Sequence, residues 1–223
     1  ENFLAGTEWL TEEFPANPAK NRELVKQWVE SNKEAKCFSS HTALLPVPQV
    51  QGLELLPVIF IRHPIDRIAS AYSFEKKQGG QGFGSVLARN TTLKGYIETR
   101  ISLGYDRQCK NFHTDRFAYM FGAQYGSELD RAKMAVEKLP FVGVVENFNE
   151  SLGKLELWLT DEGFEDINIA PKVQNVSRDT SKSIDEKIAE IRNELGEEAY
   201  EFLVQNNQDD FELYELAKQK FSE

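Results

Sequence analysis

Residues 56–72, LPVIFIRHPIDRIASAY, contain the strand and the helix that decide the fold. The first part, Leu56 to Ile61, is short, rich in valine and isoleucine, and apolar on both faces, which is typical of a central parallel strand. The second part, Asp66 to Lys77, has a helical pattern. Between them, the restricted backbone of His63 and Pro64 predicts a sharp turn from strand to helix.

The rest of the chain alternates strand and helix patterns in the same way. Short strands are predicted at residues 35–40 and 141–145, and a mobile glycine-rich loop at residues 79–84. Helices are predicted at residues 18–33 (with Asn17 as N-cap), 92–103, 111–121, 128–139, 151–163, 184–205 and 209–221. Strands separated by helices indicate an α/β fold with a parallel sheet covered on both sides. No convincing linker interrupts the 223 residues, so we expect a single domain over residues 1–223.

Composition excludes several classes of function. The net charge of −10 argues against a nucleic-acid partner, which needs a dominant basic surface. No apolar stretch approaches the roughly 20 residues of a membrane span, and nothing resembles a signal peptide. The two cysteines, Cys37 and Cys109, form neither a disulfide framework nor a metal-type spacing, so we expect inert thiols and no metal site.

The carboxyl end of the strand carries groups that suit a phosphate. Ligands of open α/β sheets bind at this edge, and Arg62 emerges there with a planar, permanently charged guanidinium. The following helix offers free N–H groups and the positive end of its dipole. Ser70, eight residues after Arg62, adds a hydroxyl from the second turn. The alternative is that Arg62 pairs with a carboxylate and Ser70 is only a packing residue.

These residues resemble the 3′-phosphate-binding motif of sulfotransferases that use 3′-phosphoadenosine 5′-phosphosulfate (PAPS). In that family a strand ends in Arg, followed by x-Pro-x-[Asp/Glu]-Arg, with Ser eight positions after the first Arg. The matching positions are Arg62, Pro64, Asp66, Arg67 and Ser70. The resemblance implies that Arg62 and Ser70 hold the 3′-phosphate of the nucleotide. It also implies PAPS as the sulfuryl donor and adenosine 3′,5′-bisphosphate (PAP) as the product.

Further segments resemble the hexuronyl (heparan sulfate) 2-O-sulfotransferase-like branch of this family. Ser40-His41-Thr42 is similar to its Gly-His segment, which implies that His41 is the catalytic base; the alternative is a surface or capping histidine. Other similar segments, in the order of the family, are residues 111–117, 141–156, 175–177 and 210–214. The implied acceptor is a hydroxyl-bearing carbohydrate or small metabolite, and the implied fold is a P-loop-type parallel sheet flanked by helices.

Weaker candidates complete the predicted site. Asn175, Ser177 and Arg178 are candidates for a loop that covers the nucleotide. Arg116 is a candidate to hold the acceptor or the nucleotide, the alternative being an ion pair with Asp115 or another carboxylate. Tyr72 is a candidate to line the acceptor pocket, although an aromatic residue at helical spacing is more often part of a core.

The sequence departs from the family at its beginning. Members start with a strand and a loop of the form Pro-Lys-[Thr/Ala]-Gly-[Thr/Gly]-[Thr/Ser], and Gly6-Thr7 is the nearest counterpart here. We expect that this strand and loop lay upstream and are missing; the alternative is a noncatalytic nucleotide-binding relative that lost the loop. An ATP-dependent P-loop kinase ranks last, because G-x-x-x-x-G-K-[S/T] is absent. The expected compartment is the cytoplasm, or the Golgi lumen if an N-terminal anchor was trimmed.

Overall fold

The computed structural model describes residues 9–164, 167, 169 and 182–222. The strands are β1 (Trp9–Thr11), β2 (Cys37–Ser39), β3 (Val58–Ile61) and β4 (Phe141–Val144). The helices are α1 (Pro18–Ser31), α2 (Pro64–Gln78), α3 (Phe83–Asn90), α4 (Leu93–Ser102), α5 (Phe112–Ala118), α6 (Glu128–Lys138), α7 (Phe148–Asp161), α8 (Ile184–Leu195), α9 (Glu197–Gln205) and α10 (Gln208–Ser222). Two compact units divide the chain. The first comprises residues 1–60 and 116–172, and the second residues 61–115 and 173–223.

The strands form two small sheets. β1 and β2 are parallel, with Trp9 opposite Cys37 and Thr11 opposite Ser39, and β3 pairs with β4. The mixed α/β class is therefore confirmed, whereas the larger P-loop-type sheet and the single domain stay predictions. β1 was not predicted, because three residues carry too little periodicity to indicate a strand.

In the first unit, local sequence signals set the helix boundaries. The Asn17 side chain accepts a hydrogen bond from Lys20 N at 3.0 Å, and Pro18 occupies the first position of α1, as predicted. β4 and α7 bury one apolar cluster with Phe60 packed against it. Gly143 of β4 approaches the Phe60 ring so closely that a side chain there would displace the ring. This packing holds Phe60 of β3 against β4.

The second unit has a helical core that contains the buried faces of α2, α4, α8 and α9. Two predictions differ from the structure here. Residues 184–205 form two helices rather than one, because Gly196 has a φ of +77° that breaks the helical hydrogen-bond pattern. The glycine-rich segment is only partly a loop: Gly79 caps α2 in the left-handed region, but Gly84 lies inside α3. The small size of Gly84, rather than its backbone flexibility, allows α3 to pack closely.

Within the described residues, no helix has the length and apolar character needed to cross a membrane. The two thiols are free, and burial raises the pKa of both, to about 12 for Cys109. Both thiols therefore stay protonated near neutral pH, as expected of inert cysteines.

Candidate functional site

The predicted turn from strand to helix is present at the boundary of β3 and α2. β3 ends at the fully buried Ile61, and α2 begins at Pro64 with His63 as its N-cap residue. The His63 side chain forms no capping hydrogen bond with the first turn of α2. The turn therefore places Arg62 directly before a helix N-terminus, where backbone N–H groups and the helix dipole favour an anion.

Arg62 forms an ion pair with a buried carboxylate on the first turn of that helix. Its Nε donates to Asp66 Oδ2 at 2.5 Å, and its Nη2 contacts the same oxygen. The carboxylate pairing considered as an alternative is thus present. The guanidinium is still accessible to solvent, because the Arg62 side chain remains 25% exposed, against 3% for Asp66. Among the described residues, Arg62 Nη1 has no hydrogen-bond partner. Asp66 therefore orients Arg62 and leaves one edge of the guanidinium open.

Ser70 lies on the same face of α2 as this ion pair. It follows Asp66 by four residues, and residues four apart are neighbours on a helix surface. Ser70 is half-buried, and its hydroxyl makes no hydrogen bond within the part of the chain that the structure describes. The spacing of Arg62, Asp66 and Ser70 thus gives one helix face a partly open guanidinium and an uncommitted hydroxyl. Asp66 was part of the sequence motif but was not predicted as a site residue.

Arg67, the other arginine of the motif, has a structural role. Its Nη1 donates to Gln108 Oε1 at 3.2 Å, its Nη2 contacts the Gln108 carbonyl, and its guanidinium lies 4.2 Å from the Phe112 ring centroid. Burial lowers the pKa of Arg67. Arg67 therefore ties α2 to the segment that leads into α5.

His113 contacts the backbone of the turn that carries Arg62. Its ring is buried, and its Nε2 lies 3.1 Å from the Arg62 carbonyl oxygen. Since a carbonyl can only accept, Nε2 carries the proton. Burial lowers the pKa of His113 to about 4, although the charge of Asp210 acts in the opposite direction. The imidazole is therefore neutral at physiological pH, and its Nε2–H donates to the Arg62 carbonyl oxygen.

This burial makes the stability of the protein depend on pH. Between pH 4 and about 6.5 the unfolded chain binds a proton at His113 that the folded chain does not, so the unfolding free energy should fall as the pH drops through this window. The loss should reach on the order of 3 kcal/mol. His113→Gln should flatten this dependence in denaturant titrations, whereas His41→Gln, at an exposed position, should not. An equal pH dependence in all three proteins would contradict the assignment.

In the first unit, His41 lines a cavity of about 380 Å³ beyond the carboxyl ends of β1 and β2. The residues around it are Thr11, Glu12, Glu13, Ser39, Ser40 and His41. The side chain of His41 is exposed and forms no contact with the other described residues that would make it a cap. This is the edge of a parallel sheet at which ligands bind, and the role of His41 as the base stays a prediction.

Asn21 holds the loop that carries His41, and it was not predicted from the sequence. This fully buried side chain donates to Pro15 O at 2.9 Å and Thr42 O at 2.8 Å, and it accepts from Leu44 N at 3.0 Å. A buried amide with all these bonds fixes the segments before α1 and after β2. The sequence feature that could have identified it is a polar asparagine among the apolar positions of α1.

The remaining candidates divide into three cases. Tyr72 is a correction: it lies in the core of the second unit, its hydroxyl donates to Thr91 O at 2.9 Å, and it packs on Tyr96, so we remove it from the acceptor site. Arg116 is half-buried in α5, and its role stays a prediction. Asn175, Ser177 and Arg178 lie outside the described residues.

Comparison with known proteins shows the family of this chain. The family profile described as Sulfotransferase family matches residues 9–217. A protein of Archaeoglobus fulgidus described as uncharacterized is 36% identical over 230 aligned residues, which cover all of this chain and 90% of that protein. The chain belongs to the sulfotransferase family. Its membership indicates an enzyme of sulfuryl transfer.

Proposed function

We propose that this protein transfers a sulfuryl group from PAPS to a hydroxyl acceptor. The observation that carries the proposal is the α2 face that presents the open edge of Arg62 and the uncommitted hydroxyl of Ser70 beside a helix N-terminus. These groups fit a phosphate, because guanidinium, hydroxyl and backbone N–H groups are all donors to its oxygens. We assign to them the 3′-phosphate of the nucleotide, with PAP as the product.

In the proposed reaction, PAPS supplies an activated sulfuryl group. His41 accepts the proton of the acceptor hydroxyl while that oxygen forms its bond to sulfur and the bond from sulfur to the 5′-phosphate oxygen breaks. Imidazole suits this transfer near neutral pH. As in phosphoryl transfer, most of the catalysis comes from positioning and from stabilising charge. Asn21 serves this purpose by fixing the loop of His41.

The cavity beside His41 favours an acceptor without negative charge. Glu12 and Glu13 line it, and no lysine or arginine is among its lining residues in the described chain. Carboxylates accept hydrogen bonds from hydroxyl or ammonium groups and repel other anions. A neutral carbohydrate or a small metabolite fits this lining better than the uronic acid chain implied by the hexuronyl branch, and that branch stays a prediction.

The proposal is tested by nucleotide-dependent thermal stability. PAP should raise Tm by mass action, with about 2.7 kcal/mol of stabilisation at one hundred times Kd, whereas adenosine 5′-phosphate should raise Tm much less. The His41→Ala variant should keep the shift with PAP and lose sulfuryl transfer from PAPS. A wild-type protein that PAP does not stabilise would contradict the proposal. Stabilisation by PAP without transfer to any hydroxyl acceptor would favour the noncatalytic relative.

A further inference from the structure

The first turn of α10 supplies the N-terminal cap of a different helix, α5. Asp210 is buried, and its Oδ1 accepts from Thr114 N at 2.7 Å and Thr114 Oγ1 at 2.8 Å. Its Oδ2 accepts from His113 N at 3.0 Å. A capping carboxylate normally precedes its own helix, whereas Asp210 follows these residues by 96 or 97 positions. α5 therefore takes its starting orientation from a distant segment.

Asn111 and Asn207 reinforce the same junction. Asn111 has a φ of +44°, and its N–H donates to Asn207 Oδ1 at 3.0 Å. Its side-chain amide donates to Asp209 Oδ2 at 3.0 Å and accepts from Asp210 N at 3.3 Å. Asn207 in turn donates to the carbonyl of Cys109 at 2.9 Å. Since the groups at this junction are bonded to one another, a change at Asp210 alters the position of the first turn of α5.

His113 connects this junction to the turn that carries Arg62. Its backbone N–H is bonded to Asp210, while its Nε2–H donates to the Arg62 carbonyl. The next carbonyl along the chain, His63 O, is already bonded to Arg67 N within α2. Two aromatic residues of α10 also pack edge-on against the His63 ring, Phe211 at 5.4 Å and Tyr214 at 5.6 Å between centroids. α10 thus constrains both Arg62 and His63.

We propose that Asp210 is a positioning residue for the 3′-phosphate site. Through His113 it fixes the backbone of Arg62, while Asp66 fixes the side chain, and together they set the direction in which the guanidinium meets a phosphate. If only the side chain of a binding residue is fixed, its backbone can still shift and move the binding group. Small displacements of such a group lower the affinity for the ligand strongly. This inference rests on the proposed function, because it assigns to Asp210 an effect on PAP affinity and not only on folding.

The test measures PAP and adenosine 5′-phosphate binding to Asp210→Asn by calorimetry. An amide keeps one acceptor oxygen but places an NH₂ group where the second oxygen accepted, so the bonds to His113 and Thr114 cannot all form. We expect about a tenfold loss of PAP affinity and less than a twofold change for adenosine 5′-phosphate. In an Arg62→Ala background the same substitution should change PAP affinity less than twofold, because the guanidinium whose direction Asp210 helps to set is gone.

Controls separate positioning from folding. Ile191→Ala removes a buried side chain of α8 in the same unit, and it should lower stability without changing PAP affinity in the folded protein. Thr114→Val deletes only one of the three bonds to Asp210 and should lower PAP affinity about threefold, which carries the test if Asp210→Asn does not fold. The chain has three histidines, so the Nε2–H resonance of His113 can be assigned, and it should move when Asp210 is replaced.

Each outcome decides the inference. Equal losses of PAP affinity with and without Arg62, or an unchanged affinity in Asp210→Asn, would overturn the positioning role while the proposed function stands. Failure of the wild-type protein to bind PAP would overturn the proposed function, and the inference with it. A loss confined to the 3′-phosphate-bearing nucleotide and dependent on Arg62 would support both.

Discussion

Replacing Arg62 with alanine is expected to lower the affinity for PAP by roughly 30–150-fold, the equivalent of about 2–3 kcal/mol for hydrogen bonds between a charged donor and a phosphate. Affinity for adenosine 5′-phosphate should change little, because that nucleotide lacks the phosphate assigned to Arg62. Arg62→Lys keeps the charge but loses the planar pair of donors, so it should recover only part of the loss. Calorimetry with both nucleotides measures the ratio directly.

Arg62→Ala also leaves the buried Asp66 carboxylate without its arginine, so this variant should have a lower Tm than the wild-type protein. Binding is therefore compared at a temperature at which both proteins are folded. Arg89→Ala is the matched control, since it removes an exposed arginine from the same unit and should not affect the ratio of the two affinities. If Arg62→Ala reduced binding of both nucleotides equally, the 3′-phosphate assignment would be wrong.

Gly84→Ala is expected to destabilise the protein by about 3 kcal/mol, or roughly 6–12 °C in Tm. A Cβ at Gly84 would lie closer than 3.0 Å to Arg100 Nη2 and Glu75 Oε2. Neither side chain can move away at low cost. Arg100 Nη2 is bonded to Glu75 at 2.7 Å and its Nη1 to Asp106 at 2.7 Å, while Glu75 also accepts from Tyr96 at 2.8 Å. The methyl group must therefore separate a partly buried ion pair or push α3 outward.

Gly82→Ala provides the control for this prediction. It lies two residues earlier, at a φ of −65°, and an added Cβ would meet nothing within 4 Å. Its effect on the unfolding free energy should stay within about 0.5 kcal/mol. Chemical denaturation of both variants distinguishes the two cases. Similar denaturation midpoints would show that the Glu75–Arg100 pair can accommodate a methyl group, which would contradict the prediction.

The elements that the sequence predicted correctly are those encoded by neighbouring residues. The strand before Arg62, the turn at His63-Pro64 and the Asn17 cap depend on apolar runs, on proline geometry and on capping chemistry, which act over a few positions. The motif from Arg62 to Ser70 has the same local character, because its spacing alone places the key side chains along one helix face. Family membership followed from this motif and was confirmed by comparison.

The errors come from contacts between distant residues. Gly84 indicated a loop, but it permits close packing of α3 on an ion pair between α2 and α4. Tyr72 was a candidate for a pocket, yet the helices around it bury its ring and satisfy its hydroxyl. The burial of a side chain and its hydrogen-bond partners depend on which helices and strands pack together. The local sequence pattern does not predict that packing.

The chemistry of the site was thus readable from the order of residues in one short segment: a guanidinium, a helix start and a hydroxyl suffice to indicate a phosphate. The folded molecule added the support for that chemistry. It paired Arg62 with Asp66, brought His113 to the Arg62 carbonyl and placed Asp210 behind His113, across 97 positions of sequence. The reason is physical: the segment's residue types fix which bonds it can make, whereas only packing of the whole chain determines which partners come within reach.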